Sequence, residues 1–140
     1  MIKQILILAY FFSPTFGFSS LNSDAIMCVW LTEMRDVKIE IYHKSDQYFG
    51  RVVWLEQPND DAGIPLVDEK NPNPVLKDGP IFDMDILLGF VYDNDGEWDG
   101  KIYDPKVGKT YVCKLRISGL KLKVRGYMGW LFDTKTWTKV

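Results

Sequence analysis

The chain has 140 residues, 46% hydrophobic and 14% aromatic, with 17 basic and 19 acidic side chains. That apolar mass suits one packed domain and excludes bulk disorder. The mildly acidic balance excludes general nucleic-acid binding, which needs a basic surface.

Residues 1–19 carry the three-part layout of a secretory signal peptide. Lys3 is followed by an apolar run from Ile5 to Phe12, then by Pro14 and the small residues Thr15, Gly17 and Ser19. Cleavage after residues 17–19 leaves one domain over 20–140, with 16 basic against 19 acidic side chains. The run is too short for a spanning helix, which takes about 20 apolar residues, so no transmembrane segment is expected. Lipidation at Cys28 is excluded because Met27, not a small residue, precedes it. The expected location is periplasmic or secreted.

Beyond the signal, short stretches of period-two alternation are punctuated by Gly, Pro and Asp/Asn clusters, and no sustained helical period appears. The expected strands are 26–32, 37–43, 47–55, 86–92, 97–103, 109–117, 120–126 and 130–139. Between the third and fourth lies a long loop, 56–85, with five prolines and eight acids. Loops of that length usually act as lids or binding loops, and a lid over one barrel mouth is the favoured role. Asp68, Asn71 and Asn73 offer oxygen atoms, but in no spacing that supports a metal site. Asp93-Asn94-Asp95-Gly96 lacks the distal glutamate of a calcium loop and reads as a hairpin turn.

An aromatic-x-Gly-basic-branched spelling recurs as Tyr48-Phe49-Gly50-Arg51-Val52 and Trp98-Asp99-Gly100-Lys101-Ile102, with a looser echo at Gly126. If Tyr103 faces Thr110 across the turn at 104–109, Asp99 faces Lys114, Glu97 faces Arg116, and Gly100 points inward between Phe90 and Cys113. A two-residue turn at Ser118-Gly119 would place Ile117 opposite Leu120 and Leu115 opposite Leu122. Inward mid-strand glycines let a sheet coil tightly enough to close. The fold expected is therefore all-β: an eight-stranded antiparallel up-and-down barrel, which leaves no open edges.

An eight-stranded barrel is either filled by side chains or holds one small ligand. The expected interior includes Tyr92, Trp130, Ile39, Ile41, Val52, Leu88, Leu115, Leu122 and Val124. Its candidate ligand-binding residues are Trp30, Tyr48, Trp54, Phe90, Trp98 and Tyr111, around a small apolar or amphipathic molecule. The alternative is a solid-cored interaction module that meets an envelope component through Lys114, Lys121, Lys123 and Arg125. No base and nucleophile come together in the sequence, so no enzyme is expected; Asp68, Tyr103 and Asp104 are the polar groups to inspect. His43, the sole histidine, reads as an exposed turn residue. No cofactor and no metal are expected. Cys28 and Cys113 lie three strand steps apart in a meander, about 14 Å, too far for a disulfide, and are expected to be free inward thiols.

The assembled residues resemble the bacterial secreted family known as domain of unknown function 2147. The likeness runs through Trp30-x-Thr32, Glu40-Ile41-Tyr42, Tyr48-x-Gly50, Asp68-x-x-Asn71-Pro72 and Gly100-Lys101-Ile102-Tyr103-Asp104-Pro105. It continues in Gly108-Lys109-x-Tyr111, Leu122-Lys123-Val124-Arg125-Gly126-Tyr127 and Trp137-Thr138-Lys139. The resemblance implies export and a small lipocalin-like (calycin-like) barrel, and it carries no established activity. Cys28, Asp99 and Lys139 depart from the family pattern.

Overall fold

A computed structural model describes residues 22–140; the expected signal segment, 1–19, lies outside the described residues. Alternating side chains and tight turns give eight strands. They are β1 (Val29–Leu31), β2 (Val37–Lys44), β3 (Gln47–Leu55), β4 (Asp85–Tyr92), β5 (Glu97–Asp104), β6 (Lys109–Ser118), β7 (Lys121–Met128) and β8 (Leu131–Lys139). Each pairs antiparallel with its chain neighbour and β8 returns to β1, closing the expected up-and-down barrel. Odd-numbered strands run toward one end, the mouth, and even-numbered strands run back to the base. Among the described residues no helix is long and apolar enough to cross a membrane.

The first strand is shorter than expected because Ser23–Ile26 forms a 3-10 turn instead. Asn22 caps it, its side chain accepting from the Asp24 N–H at 3.0 Å, and Ile26 is fully buried. This turn plugs the base.

Between β5 and β6 the register is the expected one: Tyr103 faces Thr110, Gly100 faces Cys113, Asp99 faces Lys114 and Glu97 faces Arg116. Lys114 Nζ stands 3.5 Å from Asp99 Oδ1, and that carboxylate raises the lysine's pKa. The next hairpin departs from expectation by two residues. Ile117 faces Leu122 and Leu115 faces Val124, around a turn at Gly119-Leu120. Gly119 takes φ +62 at the first central position, which suits a type II′ turn, whereas a Ser118-Gly119 turn of type I′ would force serine to positive φ as well. A shift of two preserves which side chains point inward.

β4 carries a second departure. Leu88 pairs with Lys101 but Val91 pairs with Asp99, so Gly89 and Phe90 together oppose Gly100. Gly89 has φ +61, the left-handed conformation of the first residue of a G1 bulge. The extra residue resets the alternation: Leu87, not Leu88, is buried, and Phe90 still turns inward over Gly100.

The loop after β3 behaves as a strap rather than a lid over the mouth. Tyr103 shares the outer face of β5 with Asp99 and Lys101, yet it is 8% exposed because the loop lies across it. Its hydroxyl donates to Asp68 Oδ1 at 2.6 Å, Asn71 Nδ2 donates to Asp68 Oδ2 at 2.7 Å, and Lys70 Nζ donates to the Lys106 carbonyl at 2.9 Å. Asp68 is the one buried charged residue among the described residues. Asp68→Ala should lower stability by about 2 kcal/mol, since it strands one buried donor on Tyr103 and one half-buried donor on Asn71, and a urea titration would read the loss.

Candidate functional site

The aromatic candidates divide sharply. Trp30, Tyr48, Phe90 and Trp98 are all buried in the lower half of the barrel, and three of them bind the plug. Trp30 Nε1 donates to the Ile26 carbonyl at 3.0 Å, Trp98 Nε1 to the Ser23 carbonyl at 3.0 Å, and the Tyr48 hydroxyl to Asp24 Oδ1 at 2.5 Å. Their polar atoms are fully engaged with the chain itself, so this half is solid core. Burial by the plug, together with the Asp24 bond, raises the Tyr48 pKa.

Trp54 lies on the outer wall, a correction to its expected place inside. Ile39 pairs with Val52 but Lys38 pairs with Trp54, so a bulge at Val53 turns Leu55 inward and Trp54 out. There Lys38 Nζ sits 5.0 Å from the ring centroid, a cation–π contact. Trp130 is also corrected: it occupies the two-residue turn after Gly129 and is 88% exposed. The aromatic that β8 does send inward is Trp137. Of the six ligand candidates, Tyr111 alone lines the cavity inside the barrel.

That space is a cavity of about 520 Å³ in the upper half of the barrel, open at the mouth. Its walls are Val37, Val52, Leu55, Ile86, Ile102 and Val124, with Tyr111 and Trp137 and with Ile81 as the long loop's one contribution. The three inward glycines now separate by role. A Cβ on Gly50 would lie 2.7 Å from Leu87 Cδ1, and one on Gly100 would lie 2.6 Å from Phe90 Cγ, so both permit close packing. A Cβ on Gly126 would meet nothing within 4 Å, because Gly126 faces the cavity.

The mouth is ionic. Glu33, Asp36, Asp104 and Asp133 line it with Lys106 and Lys135. Lys106 Nζ, on the β5–β6 turn, is 3.6 Å from Asp36 Oδ2 on the β1–β2 loop, which ties the loop to the far side of the opening. Lys135 Nζ is 3.2 Å from Asp133 Oδ2 and 3.8 Å from Glu33 Oε2. β1 ends at Leu31, so Glu33 serves the bare upper edge of β8, its Oε1 accepting from the Thr136 N–H at 3.2 Å. Asp133 and Lys135 stand opposite Gly126 and Val124 and so share the inward row of β8 with Trp137. The sequence reading passed over this pair; the Asp133-x-Lys135-x-Trp137 alternation is the signal that finds it.

Cys28 and Cys113 are both free, and His43 is exposed against the Tyr48 ring. Burial pushes the Cys113 thiol up to about 12. Burial and a hydrogen bond to Asp68 push Tyr103 to about 12, and burial with a bond to Asp85 does the same for Tyr42. A pKa raised in the folded state means that the protonated form is favoured by folding. This contribution is fully present below the ordinary values of 9 and 10 and is lost as pH rises through 12. Urea midpoints should therefore fall between pH 9 and pH 12; a midpoint constant to pH 12 would contradict the assignment.

Comparison with known proteins places the chain. A model of the family described as "Uncharacterized protein conserved in bacteria (DUF2147)" matches residues 28–139. The solved structure of protein HP1028 from the human pathogen Helicobacter pylori, described as belonging to the lipocalin family, is similar in fold. It has a TM-score of 0.69 at 19% identity, over 82% of each chain. No curated protein matches.

Proposed function

The chain belongs to the bacterial family DUF2147, and from that premise we propose that it is an exported container holding one small apolar or amphipathic molecule in the upper half of its barrel. The observation that carries this reading is the division of the interior. A barrel whose role was only structural has no need of a cavity of about 520 Å³ beneath an open mouth. Ligand pockets run from about 300 to 1,000 Å³, with apolar walls and a few polar groups that fix orientation. The likeness to a lipocalin-family barrel supports the same reading. The binding residues proposed are Val52, Ile102, Tyr111, Val124 and Trp137, with Gly126 providing room.

A basic outer face against an envelope component is the weaker reading. Asp99 and Glu97 stand opposite Lys114 and Arg116, and the Arg125 guanidinium lies 4.5 Å from the Phe132 ring. No catalytic role is proposed.

Titration with the neutral dye N-phenylnaphthylamine tests the container: one saturable site per chain is expected, and the absence of saturable binding refutes it. Export has its own test. Protein recovered from the periplasm or medium of a bacterial host should begin within residues 18–20, and a cytoplasmic product that retains Met1 would count against it.

A further inference from the structure

The chemistry of the mouth selects among amphiphiles. We infer that the cavity takes a single-chain amphiphile whose head group is cationic, an alkylammonium-type ligand, with its tail in the apolar interior and its head at the mouth. The inference rests on the container reading and narrows it.

The argument starts from the cavity. Its walls below the mouth are aliphatic and aromatic, among them Val52, Ile86, Ile102 and Val124, and the plugged base gives no exit at the other end. A chain-like molecule therefore enters tail first. Its polar end stops among Glu33, Asp36, Asp104, Asp133, Lys106 and Lys135. Four carboxylates against two ammonium groups leave the rim two charges negative.

Each lysine already faces an acid. Lys106 faces Asp36 at 3.6 Å, and Lys135 is held between Asp133 at 3.2 Å and Glu33 at 3.8 Å. A carboxylate head that approached either lysine would also sit beside the acid already paired with it. An ammonium head meets a net attraction, because the four carboxylates outnumber the two ammonium groups. These groups are partly exposed, so the preference is modest and screened by salt, with a Debye length of about 8 Å at physiological ionic strength.

The test uses three probes with one tail, dodecylamine, dodecanol and dodecanoate, each displacing N-phenylnaphthylamine from the full chain at neutral pH. The amine should bind about tenfold tighter than the carboxylate, with the alcohol between them, and the spread should shrink as salt rises. In Glu33→Gln/Asp133→Asn the amine-to-alcohol ratio should fall toward one, with saturable dodecanol binding still present. The alcohol thus serves as an internal measure of an intact cavity. Carboxylate binding as tight as or tighter than alcohol overturns the inference and leaves the container reading standing. Failure of the dye and all three probes to bind overturns both.

Discussion

Gly100→Ala should destabilise the barrel by about 3 kcal/mol, a large fraction of the stability of a domain this size, although it adds one methyl group. The methyl would lie 2.6 Å from Phe90 Cγ, 2.8 Å from Phe90 Cδ2 and 2.9 Å from the Leu88 carbonyl oxygen. None of these can step aside. Phe90 is fully buried, and the Leu88 carbonyl belongs to the bulged backbone that aims Phe90 inward. At roughly 4 °C per kcal/mol, the melting temperature should drop by about 12 °C. The matched control is Gly126→Ala, where the new methyl meets nothing within 4 Å and the change should stay within about 0.5 kcal/mol. Equal losses at the two glycines would contradict the roles assigned to them.

Gly126→Phe should do the reverse: keep the fold and abolish binding. Its backbone is ordinary strand, aromatic residues favour strands, and the space in front of it is the cavity. A phenyl ring there occupies the volume that a ligand tail would take. Dye affinity should fall at least tenfold, while the urea midpoint stays the same or rises. Retained binding in a stable Gly126→Phe protein would move the ligand elsewhere and refute the site.

The two variants also show what the sequence could convey. Alternation gave away eight strands and their order, and the charge pairing of β5 with β6 followed from a turn of known length. What alternation cannot reveal is a bulge, because one extra residue inverts every assignment beyond it. Trp54 and Leu88 were misplaced for that reason, at Val53 and at Gly89-Phe90. The β6–β7 turn slipped by two because Ser-Gly and Gly-Leu both satisfy a short loop, and only the sign of φ separates them.

The candidate site was less legible for a different reason. Large aromatics mark where apolar surface is buried, and the deepest burial lies at the base, where Trp30, Tyr48 and Trp98 grip the plug. A cavity is marked instead by what is missing. Gly126 was placed inward, but sequence does not distinguish a glycine that admits a neighbour from one that leaves a void. Asp133 and Lys135 sit on an inward row beside Trp137, a pattern that made them readable in principle.

The seam between β1 and β8 joins only Trp30 to Lys139 and Leu31 to Thr138, whereas β5–β6 and β7–β8 each align eight residue pairs. Six of the eight seams join strands linked by two to five residues, β3–β4 closes over the long loop, and only this one must bring the first and last strands together. Ring closure is thus the latest and weakest event in the assembly. Breathing of the native barrel should begin there, with a few backbone amides of β1 and β8 exchanging with solvent well before the rest of the sheet lets go.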